Sequence, residues 1–300
     1  MKLLCVLVLV LITRCGADDT DTPAAPPGSS YATDDPPCYF PTDWLAVPVR
    51  AVRQETSDSR VITFGLPDGI SLSLPVSSCI LMKATGAGKD GKDVIKPYNP
   101  ISSNLVTGSF DLLVKVYPNG QASSWAGRLD VGDAVSFKQV KGNVKAFRYP
   151  FKGISRITML AGGTGVAPMI QALHPLLETP GETTKVRLIY GNKSPSEIML
   201  KSELDRLAAA HSDRFEVIYV VGESEDDDRA VENEGWSGEV GWIDAEKVSR
   251  LAFPPAEGTA IWVCGVDDMY VALAGSRLKP LAPDSVLAKL GYSEDMVWRS

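Results

Sequence analysis

Four short segments carry residue types that could do chemistry. The first, Lys96-Pro97-Tyr98-Asn99-Pro100-Ile101-Ser102, sets a cation, a phenol, an amide and a hydroxyl along a stretch that prolines keep extended. Alternate side chains of such a stretch can face one ligand while the backbone stays free to hydrogen-bond, which suits a flavin diphosphate and ring; a proline-rich edge strand has the same composition. The second joins Leu113-Val114-Lys115-Val116-Tyr117 to Gly120-Gln121-Ala122-Ser123. Glycine and serine ahead of an apolar stretch let a helix N-terminus approach a pyrophosphate closely, although a plain loop reads the same way. The third, Ala161-Gly162-Gly163-Thr164-Gly165-Val166-Ala167-Pro168, sits between an apolar strand and a helix. Its glycines allow a close backbone turn at a phosphate and Pro168 can begin the helix; a turn without ligand is the alternative. The fourth, Cys264-Gly265-Val266-Asp267-Asp268-Met269, again follows a strand, so its thiol stands where parallel α/β sheets place ligands. A buried structural cysteine is the plain alternative.

The elements that must position these segments divide into two patterns. From Trp44 to about Gln139 short alternating runs are broken by Gly, Pro and Asp: Ile62, Phe64 and Leu66 share a face of Arg60–Leu66, and Asp111–Tyr117 and Ala134–Lys138 are similar. Many short strands at close spacing predict an antiparallel β-barrel or sandwich. After Ile154 strand and helix alternate, through Ile157–Ala161, Met169–Leu177, Val186–Tyr190, Phe215–Val221 and Ala260–Cys264. Ser194-Pro195-Ser196-Glu197 has the composition of a capping box and is expected to open a helix. This half predicts a parallel α/β sheet binding ligands at strand C-termini. The boundaries fall at 1–17, 18–38, 39–152 and 153–300: leader, linker, barrel domain and α/β domain.

Three hundred residues with a net charge of −7 suit two domains and disfavour a general nucleic-acid binder. The charge is uneven: 39–152 holds 14 Lys/Arg against 9 Asp/Glu (+5), 153–300 holds 14 against 23 (−9), and 1–38 holds 2 against 5 (−3). Such a dipolar chain could orient a charged partner, or simply present two solvated surfaces. Two histidines, His174 and His211, and widely spaced Cys38, Cys79 and Cys264 make triad hydrolysis and zinc chemistry poor fits and indicate no metal. Lys2, the apolar run Leu3–Ile12 and Cys15-Gly16-Ala17 read as a signal peptide, too short for a comfortable span, followed by a flexible polar linker. The only glycosylation sequon, Asn192-Lys193-Ser194, follows a strand where a glycan would crowd a cofactor face. The expectation is a retained weak anchor on the endoplasmic reticulum or another membrane, with the body facing the cytosol; the secretory pathway is the alternative.

In order and spacing the four segments resemble the ferredoxin-reductase-like flavoenzymes, specifically the NADH–cytochrome b5 reductases, from about Trp44 to the C-terminus. Leu74-Pro75-Val76, Gly142-Asn143-Val144-Lys145 and Leu290-Gly291-Tyr292 add to the likeness. The resemblance implies an FAD-binding antiparallel barrel followed by an NAD-binding α/β domain. It places Lys96, in the position of an arginine, on FAD phosphate; Pro97 among the cofactor-binding residues of the segment; Tyr98 against the isoalloxazine; Asn99, in a Thr/Ser position, near flavin N5; and Ser102 at the end of the segment. Lys115 and Tyr117 would line the side facing nicotinamide or adenosine, and Gly120, Gln121, Ala122 and Ser123 would hold the pyrophosphate. Gly162, Gly163, Thr164, Gly165 and Pro168 would form the nicotinamide-nucleotide loop, with Cys264, Gly265 and Met269 beside the nicotinamide. Asn99 and Cys264 are thereby the candidate catalytic residues. Asp267 and Asp268 replace the family's prolines, either near the nicotinamide end or as solvated loop charges. After Val221 the acidic Gly222-Glu223-Ser224-Glu225 and Asp226–Asp228 would repel the 2′-phosphate of NADPH and favour NADH. The implied acceptor is cytochrome b5 or another acidic haem protein. A quinone, an oxygenase, a ferric acceptor or a catalytically silent flavoprotein scaffold are the alternatives.

Overall fold

A computed structural model describes residues 38–140, 149–222 and 235–300 of the chain. The leader, the linker up to 37, Gly142-Asn143-Val144-Lys145 and the acidic run from Glu223 through Ser224, Glu225 and Asp226–Asp228 lie outside the described residues. The chain divides into two compact units, Met1–Pro150 with Ile170–Gly181 and Phe151–Met169 with Glu182–Ser300.

Short apolar alternations give the first unit its strands: β1 (Leu45–Thr56), β2 (Ser59–Gly65), β3 (Ile80–Ala84), β4 (Val94–Tyr98), β5 (Ser109–Lys115) and β6 (Ala134–Gln139). They form one antiparallel sheet in the order β4-β3-β6-β1-β2-β5. The sheet closes on itself. Pro100, just past β4, bridges Leu112 of β5, and Ile101 N donates to Asp111 O at 2.9 Å. Inside, Phe40, Phe64, Phe110 and Phe137 are fully buried, their neighbouring ring centroids 4.9 to 5.6 Å apart. Tilted and edge-on contacts at this spacing are favourable beyond the area they bury. One short helix, α1 (Gln121–Ala126), sets Ala126 and Trp125 against this core. In the loop before β3, Ser77 sits at φ +64° with its hydroxyl buried and unpartnered.

The second unit's six-stranded sheet has the order β10-β9-β8-β7-β11-β12, parallel throughout. Its strands are β7 (Arg156–Gly162), β8 (Lys185–Asn192), β9 (Phe215–Val221), β10 (Glu239–Val240), β11 (Thr259–Cys264) and β12 (Val297–Arg299). Along the chain, helix α2 (Val166–Glu178), which belongs to this unit only as far as Met169, and helices α3 (Lys201–Ala210), α4 (Ala245–Leu251), α5 (Asp267–Leu273) and α6 (Val286–Lys289) alternate with them. Asp244 caps α4 by accepting from Lys247 N at 2.9 Å, and that bond, with the Lys247 charge, holds its carboxyl below the usual range.

Ser194–Glu197 departs from expectation. Pro195–Glu197 forms only a single 3-10 turn, and Ser194 makes no side-chain cap bond; its hydroxyl meets Ser196 Oγ at 3.0 Å instead. The helix begins only at Lys201, after Leu200 at φ +59°. A residue in the left-handed region cannot continue a right-handed helix, so the turn and α3 stay separate. Among the described residues no helix is long and apolar enough to cross a membrane.

Candidate functional site

In the first unit Lys96, Pro97 and Tyr98 lie on β4, opposite Met82, Leu81 and Ile80 of β3. Because side chains alternate, Lys96 and Tyr98 share one face and Pro97 the other. Lys96 is exposed, whereas Tyr98 is half-buried against the aromatic core. Burial, with a smaller contribution from Tyr117, pushes the Tyr98 hydroxyl up to about 12, so it meets any ligand as a neutral phenol. Asn99 Nδ2 donates to Ser78 O at 2.8 Å, which fixes the amide plane. Ser102 Oγ accepts from Asp111 N at 3.1 Å and so helps close the barrel.

The turn before α1 is clamped at Tyr117. Ser123 Oγ accepts from Tyr117 N (3.2 Å) and donates to Gly120 O (3.2 Å), while Ser124 Oγ donates to Tyr117 O (2.9 Å). A Cβ on Gly120 would fall 2.2 Å from Ser123 Oγ, so the glycine makes room for that hydroxyl. Gln121 is exposed and Ala122 buried, and the Tyr117 side chain stays largely open to solvent. Lys115 turns its ammonium to Asp58 at 2.9 Å. A cation and a phenol on one strand face, a second exposed phenol and the first turn of a helix, whose N–H groups lack intrahelical partners, fit the charged and flat parts of FAD.

In the second unit the third and fourth segments meet. The strand order reverses between β7 and β11, which pair with Ala161 opposite Cys264. Such a reversal, beyond the C-terminal ends of the strands, is the place where open α/β sheets take ligands. Gly163–Gly165 forms a 3-10 turn leading into α2, with Pro168 in that helix's first turn. The glycines are dictated by packing. A Cβ on Gly165 would lie 2.1 Å from the Cys264 carbonyl oxygen, and one on Gly162 or Gly265 would lie 2.9 or 2.5 Å from Met269 Sδ. Gly163 differs: at φ +52° its Cβ would meet nothing within 4 Å, so its outer side is open. Thr164 sits between these glycines in the turn. An open backbone turn at the N-terminus of a 13-residue helix fits the pyrophosphate of a nicotinamide dinucleotide. Asp267 and Asp268 are exposed in the first turn of α5, where carboxylates complement the helix dipole.

Sequence reasoning missed two supports. Ser78 supplies the carbonyl that anchors Asn99, and no side-chain pattern signals a backbone acceptor. Tyr190, fully buried in β8, donates its hydroxyl to Gly163 O at 3.0 Å. In a buried strand a tyrosine reads as one more core aromatic. Asn192, closing β8, keeps its Nδ2 buried without a partner.

Comparison with known proteins matches this arrangement domain by domain. A family model described as an oxidoreductase FAD-binding domain matches residues 46–149, and one described as an oxidoreductase NAD-binding domain matches residues 159–274. The chain is 34% identical over 261 residues to NADH-cytochrome b5 reductase 2 of Kluyveromyces lactis, covering 86% of this chain and 84% of that protein. It is 34% identical over 269 residues to an NADH-cytochrome b5 reductase-like protein of Arabidopsis thaliana, covering 86% and 77%. The crystal structure of the cytochrome b5 reductase domain of Ulva prolifera nitrate reductase superposes with a TM-score of 0.71 at 28% identity, over 87% of this chain and 98% of that one. The chain belongs to the NADH–cytochrome b5 reductase family and is an FAD-dependent, NADH-oxidising oxidoreductase.

Proposed function

We propose that this reductase takes a hydride from NADH and passes electrons one at a time to cytochrome b5 or a similar acidic haem protein. The observation that carries the reading is the meeting of the Gly162–Gly165 turn with the Cys264–Met269 segment at the reversal of strand order, in a chain of this family. Bound FAD supplies the step from two-electron to one-electron chemistry. The chain's own residues bind and orient. Lys96 neutralises flavin phosphate, Tyr98 lies along the ring as a neutral phenol, and Asn99, held by Ser78, presents a fixed amide at N5. Gly120, Gln121, Ala122 and Ser123 receive the FAD pyrophosphate, with Tyr117 beside it. Gly162, Gly163, Thr164, Gly165 and Pro168 receive the NADH pyrophosphate, and Cys264, Gly265 and Met269 border the nicotinamide.

Support for an acidic acceptor comes from the +5 balance of residues 39–152. Support for a body facing the cytosol comes from the sequon: the nitrogen that would carry a glycan, Asn192 Nδ2, is buried. Isolation of a cleaved, glycosylated mature protein would overturn that placement.

The experiment for the main reading is an anaerobic NADH titration of the yellow holoenzyme, repeated with cytochrome b5, a quinone and ferricyanide. Bleaching by NADH followed by reoxidation with cytochrome b5, at a rate that falls as salt rises, is the expected result. Reoxidation by a quinone in preference to cytochrome b5 would replace the acceptor, and a flavin that NADH does not bleach would sink the reading.

A further inference from the structure

We infer that Tyr190 is a positioning residue of the nucleotide turn: its hydroxyl orients the Gly163–Thr164 peptide so that the Thr164 N–H faces a phosphate oxygen of the dinucleotide. The inference rests on the proposal that this turn receives NADH.

Gly163 O accepts two hydrogen bonds, from Tyr190 Oη at 3.0 Å and from Val166 N–H within the 3-10 turn. Both lone pairs of the carbonyl are thereby used. The peptide that follows is trans, since the cis bond of the described chain is Tyr149-Pro150. In a trans peptide C=O and N–H point in opposite directions. Drawing the Gly163 carbonyl toward β8 therefore turns the Thr164 N–H away from β8, in a turn that has open space beside Gly163, where a Cβ would meet nothing within 4 Å. Glycine is the residue favoured at φ +52°, and it is also the residue whose adjoining peptides rotate most freely. A conformation so weakly held by its own residue needs an external tether, and the tether comes from a rigid place. Tyr190 lies in a strand hydrogen-bonded on both sides, by β7 and by β9. Phenylalanine would fill the same space without a buried hydroxyl to satisfy.

The test is Tyr190→Phe in the FAD-loaded enzyme, with three readouts. Calorimetric titration of the oxidised enzyme with NAD⁺ should show a Kd about fivefold weaker, the loss expected for one neutral hydrogen bond. Steady-state kinetics with ferricyanide should show a matching rise in KM for NADH with kcat unchanged, because uniform binding is removed and no step of the chemistry is touched. Hydrogen–deuterium exchange over 162–166 should be faster in the variant, with flavin absorption and melting temperature close to those of the parent. An unchanged Kd with unchanged exchange overturns the assignment. So does a variant that loses flavin or melts far below the parent, since the hydroxyl would then serve the fold as a whole. A parent enzyme that binds no NAD⁺ would instead bring down the nucleotide reading, and the inference with it.

Discussion

Along β4 and just past its end the groups offered to a ligand are side chains: an exposed ammonium at Lys96, a half-buried phenol at Tyr98 and a tethered amide at Asn99. At the end of β7 they are backbone atoms, laid open because side chains are missing. The two regions therefore respond differently to change. On β4 the exposed Lys96 side chain can be cut back without disturbing the sheet. After β7 a carbon added at Gly162, Gly165 or Gly265 collides with the protein, and Gly163 alone of the turn's glycines has open space beside it.

Gly165→Val breaks the comparison most severely. With a Cβ 2.1 Å from the Cys264 carbonyl the backbone must move, and a loss of about 3 kcal/mol or more is expected, read as a large drop in melting temperature together with lost NAD⁺ binding. A soluble, normally melting variant would mean that the two loops are not packed as described. Lys96→Ala tests the opposite case. FAD affinity should fall about tenfold, as for one charge-assisted hydrogen bond to phosphate, while the flavin-free protein melts within about 0.5 kcal/mol of the parent. Spectroscopic flavin titration and calorimetry separate the two effects, and equal losses in both would erase the contrast.

Asp244→Ala probes the second unit away from the ligand. Removing a helix N-cap should cost about 1 kcal/mol by chemical denaturation. Because folding lowers this carboxyl's pKa, its contribution is present above the ordinary aspartate range and is lost as pH falls through the folded value. The parent and variant stability curves should therefore converge in acid and separate near neutrality. Ser77→Gly should have the smallest effect and the opposite sign. It relieves a φ of +64° and removes a buried unpaired hydroxyl, for a gain of about 0.5 to 1 kcal/mol.

The same contrast explains what the sequence made legible. Strand and barrel patterns followed from alternation, as at Ile62, Phe64 and Leu66, which are all buried. The candidate flavin segment was readable because its chemistry is written in side-chain types. The glycine turn was readable as a motif, but not the reason for each glycine: Gly165 answers to a carbonyl about a hundred residues away in sequence. The Ser194 cap failed because local composition could not reveal Leu200 in the left-handed region. Tyr190 went unnoticed because one hydroxyl in an apolar strand carries no periodic signal.

Closure of the barrel has a consequence for how the protein is held together. The Pro100–Leu112 bridge and the Ser102–Asp111 bond form the seam of the cylinder, and they fall within the segment proposed to receive flavin. A ligand lying along Lys96–Ser102 would lie across that seam and act as its clasp. Flavin supply would then bear on how firmly the cylinder stays shut as well as on its colour.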